Sequence, residues 1–134
     1  MTEYGYARAS TAEQREELQV DALLAAGVLP ENITIEHISG TTTKRPGLDD
    51  LLSRLREGDR LTVWRFDRLF RSTRHLLQLT DEMRERGVEF RSLREAVDTS
   101  TATGRFFFTI IAAVAALEAD LIQERTAAGL AGRG

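Results

Sequence analysis

Four short runs along the chain alternate apolar with polar residues, and the stretches between them repeat apolar residues at helical spacing. The runs are Glu3 to Arg8, Ile33 to Ile38, Arg60 to Phe66 and Val88 to Leu93. Each predicts a strand, because successive side chains on extended backbone point to opposite faces. Between the first two, Glu13 to Ala26 predicts a helix with Leu18, Ala22 and Ala25 at helical spacing and Gly27 as its stop. The second helix starts at Pro46, whose fixed φ suits a first turn, and carries Leu48, Leu51, Leu52 and Leu55 before Gly58. The third, Thr73 to Arg86, carries Leu76, Leu77, Thr80 and Met83 and stops at Gly87. Strict alternation of strand and helix predicts an α/β domain with a mostly parallel sheet of four or more strands, flanked by helices and joined by right-handed crossovers.

The last segment follows a different pattern. Gly104 to Gly129 has no obvious breaker, and its first half, Phe106 to Leu117, is apolar around most of its circumference. A helix apolar on several sides needs neighbours on several sides. One face is therefore expected on the chain's own domain and another on a partner subunit. This divides the chain into a core, residues 1–102, and a long oligomerisation helix, residues 103–134. The run from Phe106 to Leu117 is shorter than the ~20 residues that cross a bilayer, so no membrane partner is expected.

Composition narrows the class. A chain of 134 residues, 42% hydrophobic and 29% charged, fits one globular domain. The absence of cysteine excludes a disulfide framework and thiolate metal sites. No basic-plus-apolar leader opens the sequence, and a cytoplasmic location is expected. Net charge of −3 and a pI near 5.5 argue against binding nucleic acid over the whole surface. Local cationic clusters remain: Arg65, Arg68, Arg71 and Arg74 fall within ten positions, and Lys44 is the only lysine. Arginine offers planar, bidentate hydrogen bonding to phosphate that lysine cannot match.

In parallel sheets, functional groups gather beyond the carboxyl ends of the strands. Arg8 and Ser10 end the first run, Gly40 to Arg45 follow the second, and Asp67, Arg68 and Arg71 follow the third. Ser10 with Glu13 also reads as a capping box, so the local pattern leaves open whether this serine is a cap or a nucleophile. Arginines gathered around one serine need an anion, and a phosphodiester fits. Serine attack on phosphorus adds negative charge to the non-bridging oxygens, which fixed guanidinium groups stabilise without a metal. Only His37 and His75 are present and neither lies in these motifs, so a Ser-His-Asp triad is not expected. Two other readings compete: a non-enzymatic α/β binding or signalling module, and a metal-dependent nuclease using Glu36, Asp59 and Asp67.

Five stretches in order, Y-A-R-A-S-T-A-E-Q, S-G-T-T-T-K-R-P-G-L, G-D-R-L-T-V-W-R-F-D-R-L-F-R-S, G-R-F-F-F and I-Q-E-R-T-A-A-G-L-A, span essentially the whole chain. Their pattern resembles the catalytic domain of serine site-specific recombinases, most like the DNA invertases and resolvases. The resemblance implies that Ser10 is the nucleophile, forming a 5′-phosphoserine link to duplex DNA and leaving a free 3′ hydroxyl. It makes Arg8, Arg45, Arg68 and Arg71 phosphate-site arginines, Gln14, Gln19 and Asp67 polar active-site positions, and Glu124 and Arg125 a supporting pair on the long helix. It implies no metal, nucleotide or other cofactor, a homodimer and homotetramer through the long helix, and control by accessory proteins. Glu36 stands where many relatives have aspartate, and Phe70 where invertases often have glycine. Relatives continue into a helix-turn-helix DNA-binding domain, absent from these residues, so a catalytic fragment is expected.

Overall fold

The computed structural model describes residues 2–9, 16–38, 45–69 and 73–131, without the side chains of Asp67, Thr73 and residues 127–131. Its strands are β1 (Glu3–Ala9), β2 (Ile33–His37), β3 (Arg60–Val63), β4 (Glu89–Ser92) and β5 (Val97–Asp98). Its helices are α1 (Glu16–Ala25), α2 (Pro46–Arg54), α3 (Thr73–Arg86) and α4 (Ala102–Ala131), with 3-10 turns at Pro30–Asn32 and Phe66–Arg68. The sheet order is β2-β1-β3-β4-β5. The first four strands are parallel, as alternation predicts, and β5 pairs antiparallel with β4. Two residues carry too little periodicity to announce β5 in the sequence.

Alternation sorts β1 between two layers. Ala7 packs with Leu23 and Val28 under α1. On the other face Tyr6 joins Leu61, Val63 and Phe90 against Leu48 and Leu51 of α2, Leu76, Leu79 and Met83 of α3, and Phe108 and Ala115 of α4. Beyond the reach of α1, the first face is closed by ions. Arg60 contacts Glu3 at 2.9 Å and Asp98 at 2.7 Å, and Arg91 contacts Glu3 at 2.6 Å. These pairs tie together β1, β3, β4 and β5.

Both α1 and α3 end in the same way. Val28 N–H reaches Leu23 C=O and Gly27 N–H reaches Leu24 C=O, while Val88 and Gly87 repeat this on Met83 and Arg84. Gly27 and Gly87 take φ values of 99° and 70°, the left-handed conformation such a stop requires.

Three expectations change. The stripe of α1 that faces the sheet is Gln19 and Leu23, not Leu18, which is 55% exposed. The third strand ends at Val63 rather than Phe66, because the chain turns at Phe66 to send its ring into the core and then forms the Phe66–Arg68 turn. Finally, the uninterrupted α4 includes a stretch, Ala102–Thr126, long and apolar enough to cross a membrane by length and composition, which the count of Phe106 to Leu117 had ruled out. The longer span tolerates Glu118 and Asp120 and gains Leu121 and Ile122 beyond them, so its mean hydropathy stays high although the unbroken apolar run is short.

Helix α4 opens on Thr101, whose Oγ1 accepts from Gly104 N–H at 2.9 Å. A Cβ on Gly104 would lie 1.7 Å from the Asp98 carbonyl oxygen, so only glycine lets α4 cross β5 this closely. Phe108, Ile111 and Ala115 face the core. Phe107, Ile110, Val114, Leu117 and Leu121 are exposed. Their spacing of three, four, three and four residues is that of a coiled-coil seam.

Candidate active site

The carboxyl edge of the sheet is built around the last residues of β1. Pairing with β3 stops at Tyr6↔Val63, whereas pairing with β2 continues to Ala9↔His37. Arg8 therefore lacks a strand neighbour on one side. Gln19 fills that gap: its Nε2 donates to Arg8 C=O at 2.8 Å, and its Oε1 accepts from Arg8 N–H at 3.1 Å. The amide imitates a missing strand, which explains why a glutamine of α1 is fully buried. The backbone is thus held up to the residue before Ser10. At the end of β2, His37 Nε2 meets Glu16 Oε2, fastening the start of α1 to the same edge.

A second clamp organises the next element. Glu36, only 6% exposed, accepts the Tyr6 hydroxyl at 2.6 Å, Gly47 N–H at 2.5 Å and Leu48 N–H at 3.3 Å. Its carboxylate thereby serves the open amides at the N-terminus of α2, where a negative charge is also favoured by the helix dipole. A Cβ on Gly47 would lie 2.9 Å from Glu36 Oε2, so the glycine makes room for the carboxylate. Burial pushes the Tyr6 hydroxyl pKa well up, and the hydrogen bond to Glu36 and its charge push it further, against the opposing charges of Arg45 and Arg8. Tyr6 is accordingly a fixed hydrogen-bond donor to Glu36.

Arg45 immediately precedes α2 and is 4% exposed. Its Nη1 donates to the carbonyl oxygen of Leu69, the residue after the Phe66–Arg68 turn. Arg68 itself is 5% exposed. The clamp and the turn thus bring together arginines from three separate segments: Arg8 and Arg45, whose charges both act on the Tyr6 hydroxyl, and Arg68 next to the Leu69 carbonyl that Arg45 binds. The turn is tied to the β4–β5 connection by Glu95, which accepts the Ser92 hydroxyl on one oxygen and Phe66 N–H at 3.5 Å on the other.

Of the site residues expected from the sequence, Arg8, Gln19, Arg45 and Arg68 are gathered here. Asp67 lies in the 3-10 turn, with its side chain outside the described residues. Ser10, Gln14 and Arg71, and with them the proposed Ser10–Glu13 cap and Phe70, also lie outside the described residues. Glu124 and Arg125 sit on the exposed distal part of α4. The metal-nuclease reading loses its geometry. Glu36 is committed to three donors, and Asp59 precedes β3 at the opposite end of the sheet, accepting Thr2 N–H at 3.0 Å and Arg56 N–H at 2.9 Å. Among the described residues, no three His, Asp or Glu side chains converge as a metal site. Sequence reasoning missed Tyr6 and Glu95 as supports. A tyrosine alternating with Arg8 on one strand was the available signal for the first.

A mostly parallel α/β domain with buried arginines collected at its carboxyl edge is the class these features define. The chain belongs to the resolvase family: residues 3–133 match its N-terminal domain. It is 53% identical over 127 residues to the serine recombinase gin of Escherichia phage Mu, covering 95% of this chain and 65% of that protein. It is 47% identical over 131 residues to the DNA-invertase hin of Salmonella typhimurium, covering 98% and 68%. Against the transposon Tn917 resolvase of Enterococcus faecalis the identity is 44% over 127 residues, covering 95% and 68%. The chain thus spans about two thirds of the length of these relatives. Among solved structures, the N-terminal catalytic domain of TP901-1 integrase superposes with a TM-score of 0.69 at 29% identity, covering 90% of this chain and 98% of that one. A resolvase family site-specific recombinase from Streptococcus pneumoniae shares the fold, with a TM-score of 0.68 at 20% identity.

Proposed function

We propose that this chain is the catalytic part of a site-specific DNA recombinase in which Ser10 attacks a phosphodiester of duplex DNA. The observation that carries the reading is the convergence of Arg8, Arg45 and Arg68 at the sheet edge where β1 leads into Ser10. Attack by the Ser10 oxygen forms a 5′-phosphoserine bond as the 3′ oxygen leaves with a proton. Strand exchange and the reverse attack by a 3′ hydroxyl then restore DNA and free serine. The guanidinium groups of Arg8, Arg45, Arg68 and Arg71 stabilise the charge that builds on the phosphorane oxygens. Gln19 holds the backbone of Arg8, Gln14 and Asp67 serve as further polar residues in the reaction, and no metal or nucleotide is required.

In this reading, residues 1–102 carry the chemistry and residues 103–134 join subunits. The exposed seam of α4 fits a second copy of the same seam, giving a homodimer and, on two DNA sites, a tetramer. Glu124 and Arg125 act across that assembly, and accessory proteins govern it. The protein works in the cytoplasm, with the apolar face of α4 covered by protein rather than lipid.

The test is a nicked suicide substrate that traps the covalent intermediate, reacted with the complete protein and analysed by peptide mass spectrometry. Ser10 should carry the nucleotide through a phosphoester, with the yield unchanged by chelator. Ser10→Ala should abolish the adduct and DNA cleavage without altering the circular dichroism spectrum. Cleavage that survives in Ser10→Ala would overturn the proposal.

A further inference from the structure

We infer that Phe108 of α4 is a positioning residue for Arg45 and Arg68, acting through the ring of Phe66. The inference rests on the recombinase reading for its link to catalysis, and on geometry alone for the link between helix and arginines.

The Phe66–Arg68 turn lies beyond the end of β3, so no strand ladder holds it. Within it, Leu69 N–H reaches Phe66 C=O at 3.0 Å and Arg68 N–H reaches Arg65 C=O at 3.1 Å, which makes the turn a compact unit. That unit carries Arg68 and presents the Leu69 carbonyl that Arg45 binds. Any shift of the turn therefore moves one arginine and releases or drags the other.

Besides the bond from Phe66 N–H to Glu95, the turn rests through its ring on two aromatic side chains. The Phe66 ring stacks on Phe90 of β4, with centroids 5.8 Å apart and planes 26° apart. It also meets Phe108 at 6.1 Å and 59°, while Phe90 and Phe108 meet at 5.4 Å and 37°. Phe90 belongs to the sheet and is fixed with it. Phe108 belongs to a helix whose opposite face is exposed at Phe107, Ile110, Val114 and Leu117. A load on that outer face reaches the arginines through Phe108 and Phe66. Phe108 also borders a cleft of about 330 Å³ between α3, β4 and α4, lined by Thr80, Met83, Phe90 and Thr109 among others, so its ring has space to shift on that side. Positioning of reacting groups is steep: a displacement of about 1 Å can cost about 100-fold in rate.

The test compares wild type with Phe108→Leu, which keeps an apolar branched side chain but removes the ring, and with Phe108→Tyr, which keeps the ring. Circular dichroism checks the fold, and Phe108→Met replaces the leucine variant if that one unfolds. Nitrogen-15 NMR of the guanidinium groups reads the geometry without any reaction. Arg45 and Arg68 signals should move in Phe108→Leu and return in Phe108→Tyr, while Arg60 and Arg91, on the other face of the sheet, stay in place. Single-turnover formation of the Ser10 adduct at saturating DNA should fall about 10-fold or more in Phe108→Leu, with DNA affinity within about twofold of wild type. Unmoved Arg45 and Arg68 signals, or equal movement of all four arginines, overturns the inference, as does an adduct rate within about twofold of wild type. A wild-type protein that forms no Ser10 adduct sinks the recombinase reading instead, and the guanidinium signals still decide the coupling.

Discussion

Replacing Glu36 by glutamine tests the clamp that sets the arginines. The carboxylate offers two oxygens to three donors: Oε1 to the Tyr6 hydroxyl and Leu48 N–H, and Oε2 to Gly47 N–H at 2.5 Å. A glutamine amide has one oxygen. If that oxygen keeps Tyr6 and Leu48, the NH2 group faces Gly47 N–H, donor against donor; in the flipped amide the Tyr6 hydroxyl can turn to accept from NH2, and Leu48 N–H is the donor left facing a donor. Either orientation loses one hydrogen bond to a charged group, worth about 1.5–3 kcal/mol. It also loses the anion at the start of α2, worth about 0.3–1 kcal/mol. Part of this is returned because the buried charge no longer has to be desolvated. The expected destabilisation is about 2–3 kcal/mol, and Tyr6→Phe, which removes one donor and leaves the charge, should cost about 1–2 kcal/mol. Urea unfolding followed by circular dichroism and Trp64 fluorescence measures both, with unchanged m-values as the condition for comparison. In a double-mutant cycle the two changes should fall short of additivity, because they share one hydrogen bond. A Glu36→Gln variant within about 0.5 kcal/mol of wild type would refute the clamp, since that is the ordinary range of an uninvolved surface position.

Burial alone would raise the carboxyl pKa values of Glu3 and Asp98, but hydrogen bonds and the charges of Arg60 and Arg91 outweigh it and hold both below their usual 4.5 and 3.8. Their contribution to stability is therefore complete above those ordinary values and lost as pH falls through the lower folded-state values. Urea midpoints should hold near neutrality and drop below about pH 4, and midpoints that stay level down to about pH 3 would contradict this. Ala96 has φ of 56° in the β4–β5 turn. Ala96→Gly should stabilise the protein by about 0.5–1 kcal/mol in the same assay, since glycine adopts that conformation without strain. Val114, 49% exposed at the centre of the α4 seam, should tolerate glutamate without loss of helicity. Sedimentation equilibrium should show self-association in wild type and a monomer in Val114→Glu, and identical masses for the two would remove the seam as an interface.

Much of the layer order is written in the sequence, because periodicity records which face of an element is apolar and glycine marks where a helix must stop. The four parallel strands, the start of α2 at Pro46 and the stops at Gly27 and Gly87 follow from such local rules. So does the placing of Arg8, Arg45 and Arg68 at one edge, since the ends of parallel strands necessarily share it. What neighbouring elements do for one another is not local. Leu18 has the composition of a core residue yet is exposed, while Gln19 beside it is buried, because only the finished sheet reveals that β1 outruns β3 and leaves the Arg8 backbone for Gln19 to bind on that side. Glu36 could not be recognised as the cap of α2, since a cap is ordinarily sought just before its helix and this one reaches over from a strand. The two residues of β5 and the early end of β3 were equally hidden. Each is decided by what packs beside it: a strand exists where a neighbour supplies hydrogen bonds, and Phe66 leaves the strand because Phe90 and Phe108 offer its ring a buried surface. Pattern along the chain sets which residues prefer the interior, and tertiary contact decides which unpaired backbone groups, charges and rings they must satisfy there.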